Sequence, residues 1–285
     1  MQTSAVLYVV ATPIGNLEDI TARALSVLSA VDFVAAEDTR HSKRLLAHFG
    51  IATPLLSHHE FSSDAEVQKI LGLLAEGKSL ALISDAGTPL ISDPGYRLVA
   101  AAREEGVEVI PVPGVSALTA ALSVAGIPSD SFRFEGFLPA KSAQRIKRLE
   151  SLVSETPTLI FYESPHRIAS FLTDLAKIVP SVQNRKLFVG RELTKKFETH
   201  FWGSPEQSLL WLESDENNQR GEFVLVLEGA REEQQNEQEQ KLARAQEIAR
   251  LLAAELSMKR AVALAAEIGG VRKNALYALM LRDED

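Results

Sequence analysis

Short apolar runs recur through the first half of the chain, each closed by turn residues and followed by an amphipathic stretch. Val6-Leu7-Tyr8-Val9-Val10, Phe33-Val34-Ala35-Ala36, Pro54-Leu55-Leu56-Ser57, Leu80-Ala81-Leu82-Ile83 and Glu108-Val109-Ile110-Pro111-Val112 have the length of strands. Their near-continuous apolarity is that of strands covered on both faces. Helical periodicity follows each one: from about Asp19 to Ser29, from a basic start at Lys43 and Arg44, over 64–76, over 97–105, and through an Ala-rich run from Ala117 to about Ala125. Strands alternating with helices predict a mostly parallel sheet.

The pattern changes after Gly126-Ile127-Pro128. Phe132 to Phe137 alternates like a half-exposed strand, and further strands are expected at 158–162, 186–191, 198–203 and 221–227. Helices are expected at 165–178 and 205–212. That order predicts a second α/β domain with mixed strand directions. Residues 230–240 are polar and acidic and read as a linker or a solvated helix start. Two or three short amphipathic helices then fill 241–282, split at Gly269-Gly270. The expected division is therefore 1–125, 126–229, a linker at 230–240, and a helical module at 241–285. Lys259, Arg260, Arg272 and Lys273 in that module could grip RNA or a partner, or could be solvated faces of a helical cap.

Three strand-end loops are rich in Gly and Pro: Ala11-Thr12-Pro13-Ile14-Gly15-Asn16, the long stretch from Ser84 to Gly95, and Pro113-Gly114-Val115-Ser116-Ala117. Open α/β sheets bind ligands at the carboxyl ends of their strands. Any one of these loops could be ordinary turn chemistry; three together point to a ligand. None is G-x-G-x-x-G or G-x-x-x-x-G-K-[ST], so neither a dinucleotide fold nor a P-loop NTPase gains support. Glu37-Asp38-Thr39-Arg40-His41 ends another strand, as a substrate contact or a solvated helix start. His58-His59-Glu60 lacks metal-ligand spacing, since adjacent side chains diverge.

Composition narrows the field. The chain has 285 residues, 46% hydrophobic and 24% charged, ordinary values for a globular protein. It has no cysteine, which removes disulfides, thiolate metal sites and a cysteine nucleophile, and fits a reducing, cytoplasmic setting. No apolar run approaches the ~20 residues of a membrane span. The net charge of −8 argues mildly against nucleic acid, yet basic groups cluster locally. Arg40, Lys43 and Arg44 form one cluster. Lys141, Arg145, Lys147 and Arg148 form a second, and Arg167, Lys195 and Lys196 a third.

Six motifs occur in order: Val10-Ala11-Thr12-Pro13-Ile14-Gly15-Asn16-Leu17, Glu37-Asp38-Thr39-Arg40, Asp85-Ala86-Gly87-Thr88-Pro89, Pro113-Gly114-Val115-Ser116-Ala117, Tyr162-Glu163-Ser164-Pro165-His166-Arg167 and Arg191-Glu192-Leu193-Thr194-Lys195. Together they resemble the ribosomal RNA small-subunit methyltransferase I family, within the tetrapyrrole methylase superfamily of S-adenosylmethionine (SAM) enzymes. The likeness is dense over roughly residues 5–228 and looser beyond. It implies a homodimer, two α/β domains with SAM in the cleft between them, and 2′-O-methylation of a cytidine in the decoding region of 16S rRNA. It also implies cofactor contacts at Pro13, Asp85, Ala86, Gly87, Thr88, Ser116, Ala117, Tyr162 and Glu222. The tetrapyrrole-acting members carry Gly-Gly-Asp-Pro where this chain has Ala86-Gly87-Thr88-Pro89, which argues against a porphyrin-like substrate.

Methyl transfer from a sulfonium is an in-line displacement in which the protein mainly positions the reactants. A ribose hydroxyl needs a general base, or a cation beside the developing alkoxide. Glu163, His166 and Lys195 are the candidates, with Arg191 nearby and Glu60 a weaker choice; no metal is required. Arg40, Lys43, Arg44, Arg145, Arg167, Arg191 and Lys196 are expected to neutralise RNA phosphates. Two other readings remain: a SAM-dependent methylase of a small tetrapyrrole-type molecule, and a non-catalytic RNA-binding assembly factor.

Overall fold

A computed structural model describes residues 5–179, 184–230 and 232–282. They form two compact units, Met1–Glu150 with Thr158–Glu228, and Ser151–Pro157 with Gly229–Asp285.

The first unit contains two five-stranded sheets. Strands β1 (Val6–Val10), β2 (Phe33–Ala36), β3 (Leu55–Ser57), β4 (Leu80–Ile83) and β5 (Glu108–Val112) pair in parallel in the order β3-β2-β4-β1-β5. Alternate residues serve opposite faces, as the two-residue strand period requires. Leu80 and Leu82 pack with α3 (Asp64–Ala75) and α4 (Tyr96–Glu104), while Ala81 and Ile83 pack with α1 (Ala22–Ala30) and α2 (Thr39–His48). This two-sided cover is why the strands read as unbroken apolar runs. Helix α1 starts at Ala22 and not at Asp19, because Thr21 caps it by accepting the Ala24 N–H at 3.0 Å.

The chain leaves β1 toward β2 and leaves β4 toward β5. Neighbouring strands thus send their connections in opposite directions, which opens a crevice at their carboxyl ends.

The second sheet holds β6 (Phe132–Phe137), β7 (Thr158–Glu163), β8 (Leu187–Arg191), β9 (Thr199–Gly203) and β10 (Phe223–Leu227) in the order β6-β7-β10-β8-β9. Only β6 and β7 run parallel; the other pairs are antiparallel. Helix α5 (Ala117–Val124) lays Leu118 and Ala121 on Ile160, Phe188, Val224 and Val226 of this sheet, and Ile14 from the β1–α1 loop joins the same core. The first loop is therefore anchored to the second sheet by apolar burial. The unit also holds α6 (Ser142–Leu152), α7 (Ile168–Ile178) and α8 (Pro205–Glu213), with Phe171 of α7 packed on Phe161 of β7 at 5.5 Å between ring centroids.

Arg145 on α6 corrects an expectation. It is 1% exposed and fully engaged. Its Nε and Nη2 donate to Asp174 Oδ2 at 2.9 and 2.6 Å, Nη1 to the Ala140 carbonyl, and Nη2 to Ser170 Oγ. It holds α6 to α7 and offers no face to a phosphate.

The second unit is helical: α9 (Glu232–Ala253), α10 (Met258–Gly269) and α11 (Lys273–Arg282). Residues 232–240, expected as a linker or helix start, are the first turns of α9. The core is small, built on Ala245, Ala249, Val262, Ala265, Leu276 and Met280. A Cβ at Gly269 would lie 2.7 Å from that of Ala245, so glycine lets α10 approach α9.

Candidate active site

The three Gly/Pro-rich loops meet at the carboxyl ends of β1, β4 and β5. Thr12 and Gly87 exchange backbone hydrogen bonds of 2.8 and 3.0 Å, and Thr12 Oγ1 donates to the Ser84 carbonyl at 3.2 Å. Thr88 Oγ1 donates to the Val115 carbonyl at 3.1 Å. A Cβ on Gly114 would stand 2.8 Å from the Ala11 Cβ. Gly87 sits at φ +87°, a left-handed conformation that side chains resist. Asp85 ties this assembly to β2: its Oδ1 accepts the Asp38 N–H at 3.0 Å.

Opposite stands a clamp from the second sheet. Lys195 Nζ donates to Glu192 Oε1 at 2.9 Å and to Glu222 Oε2 at 2.8 Å. The backbones of Glu192 and Glu222 are tied too, since Glu192 N–H reaches the Glu222 carbonyl at 2.9 Å and Glu222 N–H reaches Glu192 Oε1 at 2.9 Å. Glu192 and Thr194 are non-glycine residues at φ +52° and +67°, strain of the kind that collects at working sites. Burial acts to lower the Lys195 pKa, but the two carboxylates outweigh it and the net shift is upward. Burial likewise raises Glu192, and the Lys195 bond with the backbone contact turns its net shift downward. Lys195 is therefore held as a cation. Its aliphatic stem lies against Gly15 of the β1–α1 loop.

Between loops and clamp lies a cleft of about 530 Å³, within the range of small-molecule sites. Pro13, Gly15, Asp85 and Ala86 wall one side, and Lys195 and Glu222 the other. Helix α2 adds His41, Arg44, Leu45 and His48, spaced to share one helical face.

The expected residues fall into three groups. Pro13, Asp85, Ala86, Glu222 and Lys195 line the cleft, and so does Arg44. Gly87, Thr88, Ser116, Ala117 and Tyr162 stand outside its lining. Among them, Gly87 and Thr88 join the loops, and the Tyr162 hydroxyl accepts the Leu118 N–H of α5 at 2.9 Å. Burial pushes the Tyr162 phenol up despite the Ser116 and Leu118 bonds.

Glu163 and His166 do not line the cleft. The Glu163 side chain is wholly buried, with Oε1 accepting the Ser164 N–H at 2.8 Å and Oε2 3.2 Å from Arg167 Nη2. Burial raises its pKa against those partners. It shapes the turn after β7 and has no access to a substrate hydroxyl. His166 is exposed on that turn. Arg191 is also buried, donating to the Arg220 and Phe197 carbonyls, so it braces the β8 loop and is no phosphate contact. Arg40, Lys43 and Lys196 are exposed, and Arg167 is partly so. His41, expected as a substrate contact or part of a solvated helix start, lines the cleft, whereas His48 and Glu192 were not anticipated. His41 and His48 share a helical face with Arg44, a signal present in the sequence.

A second cleft, of about 490 Å³, lies over the ends of β2 and β3 and takes in Glu37, His58, His59, Glu60 and Asp93. Among the described residues no group of three or more potential ligands could hold a metal ion, and no helix is long and apolar enough to cross a membrane.

Known proteins share this fold. Residues 6–209 match the family described as Tetrapyrrole (Corrin/Porphyrin) Methylases, and residues 239–284 match the RsmI C-terminal HTH domain. Among solved structures, a cobalt precorrin-4 methyltransferase superposes with TM-score 0.57 at 17% identity, covering 79% of this chain and 96% of its own. The uroporphyrin-III-C-methyltransferase of Thermus thermophilus gives 0.55 at 21%, covering 79% and 95%. The fold is that of the tetrapyrrole methylase class of SAM-dependent methyltransferases, whose family model matches most of the chain.

Ribosomal RNA small subunit methyltransferase I of Escherichia coli O157:H7 is 50% identical over 98% of this chain and 95% of its own length. The protein of that name from Pseudomonas aeruginosa is 52% identical over 98% of each. The chain belongs to the ribosomal RNA small subunit methyltransferase I family.

Proposed function

We propose that this chain methylates the ribose 2′-hydroxyl of a cytidine in the decoding region of 16S rRNA, with the small ribosomal subunit as its substrate. The observation that carries the reading is the Lys195 clamp, set across one cleft from the pinned loops of β1 and β4.

The cleft's chemistry fits SAM. Carboxylates at Asp85 and Glu222, with Arg44 beside them, suit the ammonium and carboxylate of its methionine part. Pro13, Ile14, Leu17 and Leu45 offer apolar surface to its adenine. When bound, SAM supplies the electrophilic methyl group. The chain's own residues do the rest. Loops 11–16 and 84–89 fix one wall, with Gly87 and Thr88, and Ser116, Ala117 and Tyr162 behind it, setting its shape. Lys195, kept positively charged, stabilises the developing alkoxide as the proton of the ribose hydroxyl passes to solvent water. Arg40, Lys43 and Lys196, next in the chain to His41, Arg44 and Lys195 of the lining, neutralise RNA phosphates. The helical unit at the carboxyl end adds a further RNA grip. The same reading, through the family, carries a homodimer at work in the cytoplasm.

The test supplies labelled SAM with small subunits from a strain lacking the enzyme, beside naked 16S rRNA and tetrapyrroles. Label on a cytidine ribose of the subunit is expected. Label on a tetrapyrrole, or subunit binding without transfer, contradicts the reading. Light scattering of the purified chain tests the dimer.

A further inference from the structure

Lys195 sits on a strained turn. Residues 192–198 join β8 to β9, whose register pairs Arg191 with Thr199 and Gly190 with His200. Within the turn Thr194 takes a left-handed φ of +67°. For a β-branched residue that conformation is a true outlier. Asn and Asp tolerate it by bonding the nearby backbone through their side chains. Thr194 has no such help, because its Oγ1 is buried and has no hydrogen-bond partner. The conformation must be held from outside the residue.

Glu198 supplies the hold. Its Oε2 accepts the Thr194 N–H at 2.5 Å, a bond of the short kind that a carboxylate makes to a backbone donor. The Glu198 N–H donates to the Lys195 carbonyl at 3.1 Å, and the Lys195 N–H donates to the Glu192 carbonyl at 3.0 Å. Both backbone groups of Lys195 are thereby fixed, along with the amide just before them.

The Glu198 carboxylate is braced in turn. Its other oxygen, Oε1, stands 2.9 Å from His200 Nε2 on β9. The His200 ring packs against Phe188 at 5.3 Å between centroids, and Phe188 is 2% exposed in the core under α5. A line of contacts therefore runs from that core through His200 and Glu198 to the amide beside Lys195. Arg191 braces the same loop at the Phe197 carbonyl and leaves the Thr194 end to Glu198. The Glu198 and His200 side chains are 39% and 38% exposed, and pairs so exposed add little stability. Their use lies in geometry.

We infer that Glu198 is a positioning residue for methyl transfer, with His200 as its brace: it fixes the turn that aims Lys195 Nζ into the cleft. The inference rests on the role given to Lys195 above. Glu198 acts through Lys195 and not on the reactants. Its effect is large because a group misplaced by about 1 Å can cost about 100-fold in rate.

The test is a double-mutant cycle between Glu198→Ala and Lys195→Met. It is read by label transfer to small subunits at saturating SAM, with KM for the subunit and Tm measured beside the rate. Glu198→Ala should lower kcat by about tenfold or more, with KM within about twofold of wild type and Tm within about 4 °C. Glu198→Gln keeps an oxygen that accepts the Thr194 N–H and should recover most of the rate. His200→Ala should lose less than Glu198→Ala does. In the Lys195→Met background Glu198→Ala should cost nothing further, because the group it aims is gone.

A Glu198→Ala enzyme with the wild-type rate overturns the inference and leaves the Lys195 reading intact. So does a loss of equal size in both backgrounds, which would set Glu198 apart from Lys195. Glu198→Gln as slow as Glu198→Ala overturns the hydrogen bond as the device. A fall in Tm of more than about 10 °C in Glu198→Ala would make Glu198 a requirement of the fold and overturn the positioning role. A Lys195→Met enzyme with the wild-type rate overturns the reading of Lys195 itself, and the inference with it.

Discussion

A single methyl group at Gly15 tests how Lys195 works. In Gly15→Ala the new Cβ would collide with Lys195 Cγ and lie 2.9 Å from Cε and 3.0 Å from Cδ. Ordinary carbon–carbon contacts are about 3.5–4.0 Å. The obstruction is a flexible side chain, so Lys195 swings away by about 1 Å, while Gly15 itself, at φ +158°, takes on backbone strain of at least about 1 kcal/mol. That swing breaks the 2.9 and 2.8 Å bonds from Nζ to Glu192 and Glu222. Both pairs reach solvent, and exposed ion pairs contribute about 0–1 kcal/mol. With the backbone strain added, the expected loss of stability is about 2 kcal/mol, or about 4–8 °C in Tm for a unit of this size. Catalysis responds far more, because a misplacement of about 1 Å can cost about 100-fold in rate. The assay is single-turnover label transfer to small subunits, run beside scanning calorimetry and SAM titration. Lys195→Met should match the loss of rate. A Gly15→Ala enzyme with wild-type rate refutes the role given to Lys195. A fall in Tm of more than about 10 °C would instead make Gly15 a backbone requirement.

Other changes separate structural from functional charge. Arg145→Met breaks a buried pair and should cost about 3–5 kcal/mol in denaturant melts, while leaving the salt dependence of subunit binding unchanged. Lys43→Ala should do the reverse, lowering the salt slope by about one with no change in stability. Gly87→Val places a branched side chain at φ +87° with Cβ 3.2 Å from Ile14 Cγ2. The protein should fold with a loss of at least about 1–2 kcal/mol, and SAM affinity should be abolished in a calorimetric titration. Glu37 gives a pH signature. Its raised pKa means that the folded protein binds more protons than the unfolded chain just above the ordinary value of 4.5. Its contribution to stability therefore falls as pH rises through that window. Glu37→Gln should raise Tm at pH 7 and above, and the gain should vanish below pH 4.5.

The alternation of strands and helices was legible because parallel strands covered on both faces leave unbroken apolar runs. The order of the strands was not. Nothing in Val6 to Val10 says that β1 lies between β4 and β5, yet that placement opens the crevice. Pro13, Asp85 and Ala86 were legible because turn chemistry at a strand end is local. Glu192 was missed because its part depends on a left-handed φ and a partner across the sheet, Glu222, which no local pattern encodes. Arg145 was misread for a similar reason. A basic helix looks solvated until Asp174, on the next helix, is seen beside it. Glu163 sits in a motif that invites a catalytic reading, but its place at the end of β7 turns the carboxylate inward to Ser164 and Arg167.

The central claim is that the cleft between the pinned loops and the Lys195 clamp holds SAM. Amide hydrogen exchange, followed by mass spectrometry with and without SAM, tests it directly. Protection is predicted over 11–17 and 84–89, and at 192–195 and 221–222, with no change in α9 to α11. Protection confined to 58–62 and 93–97, or to the helical unit, would contradict it.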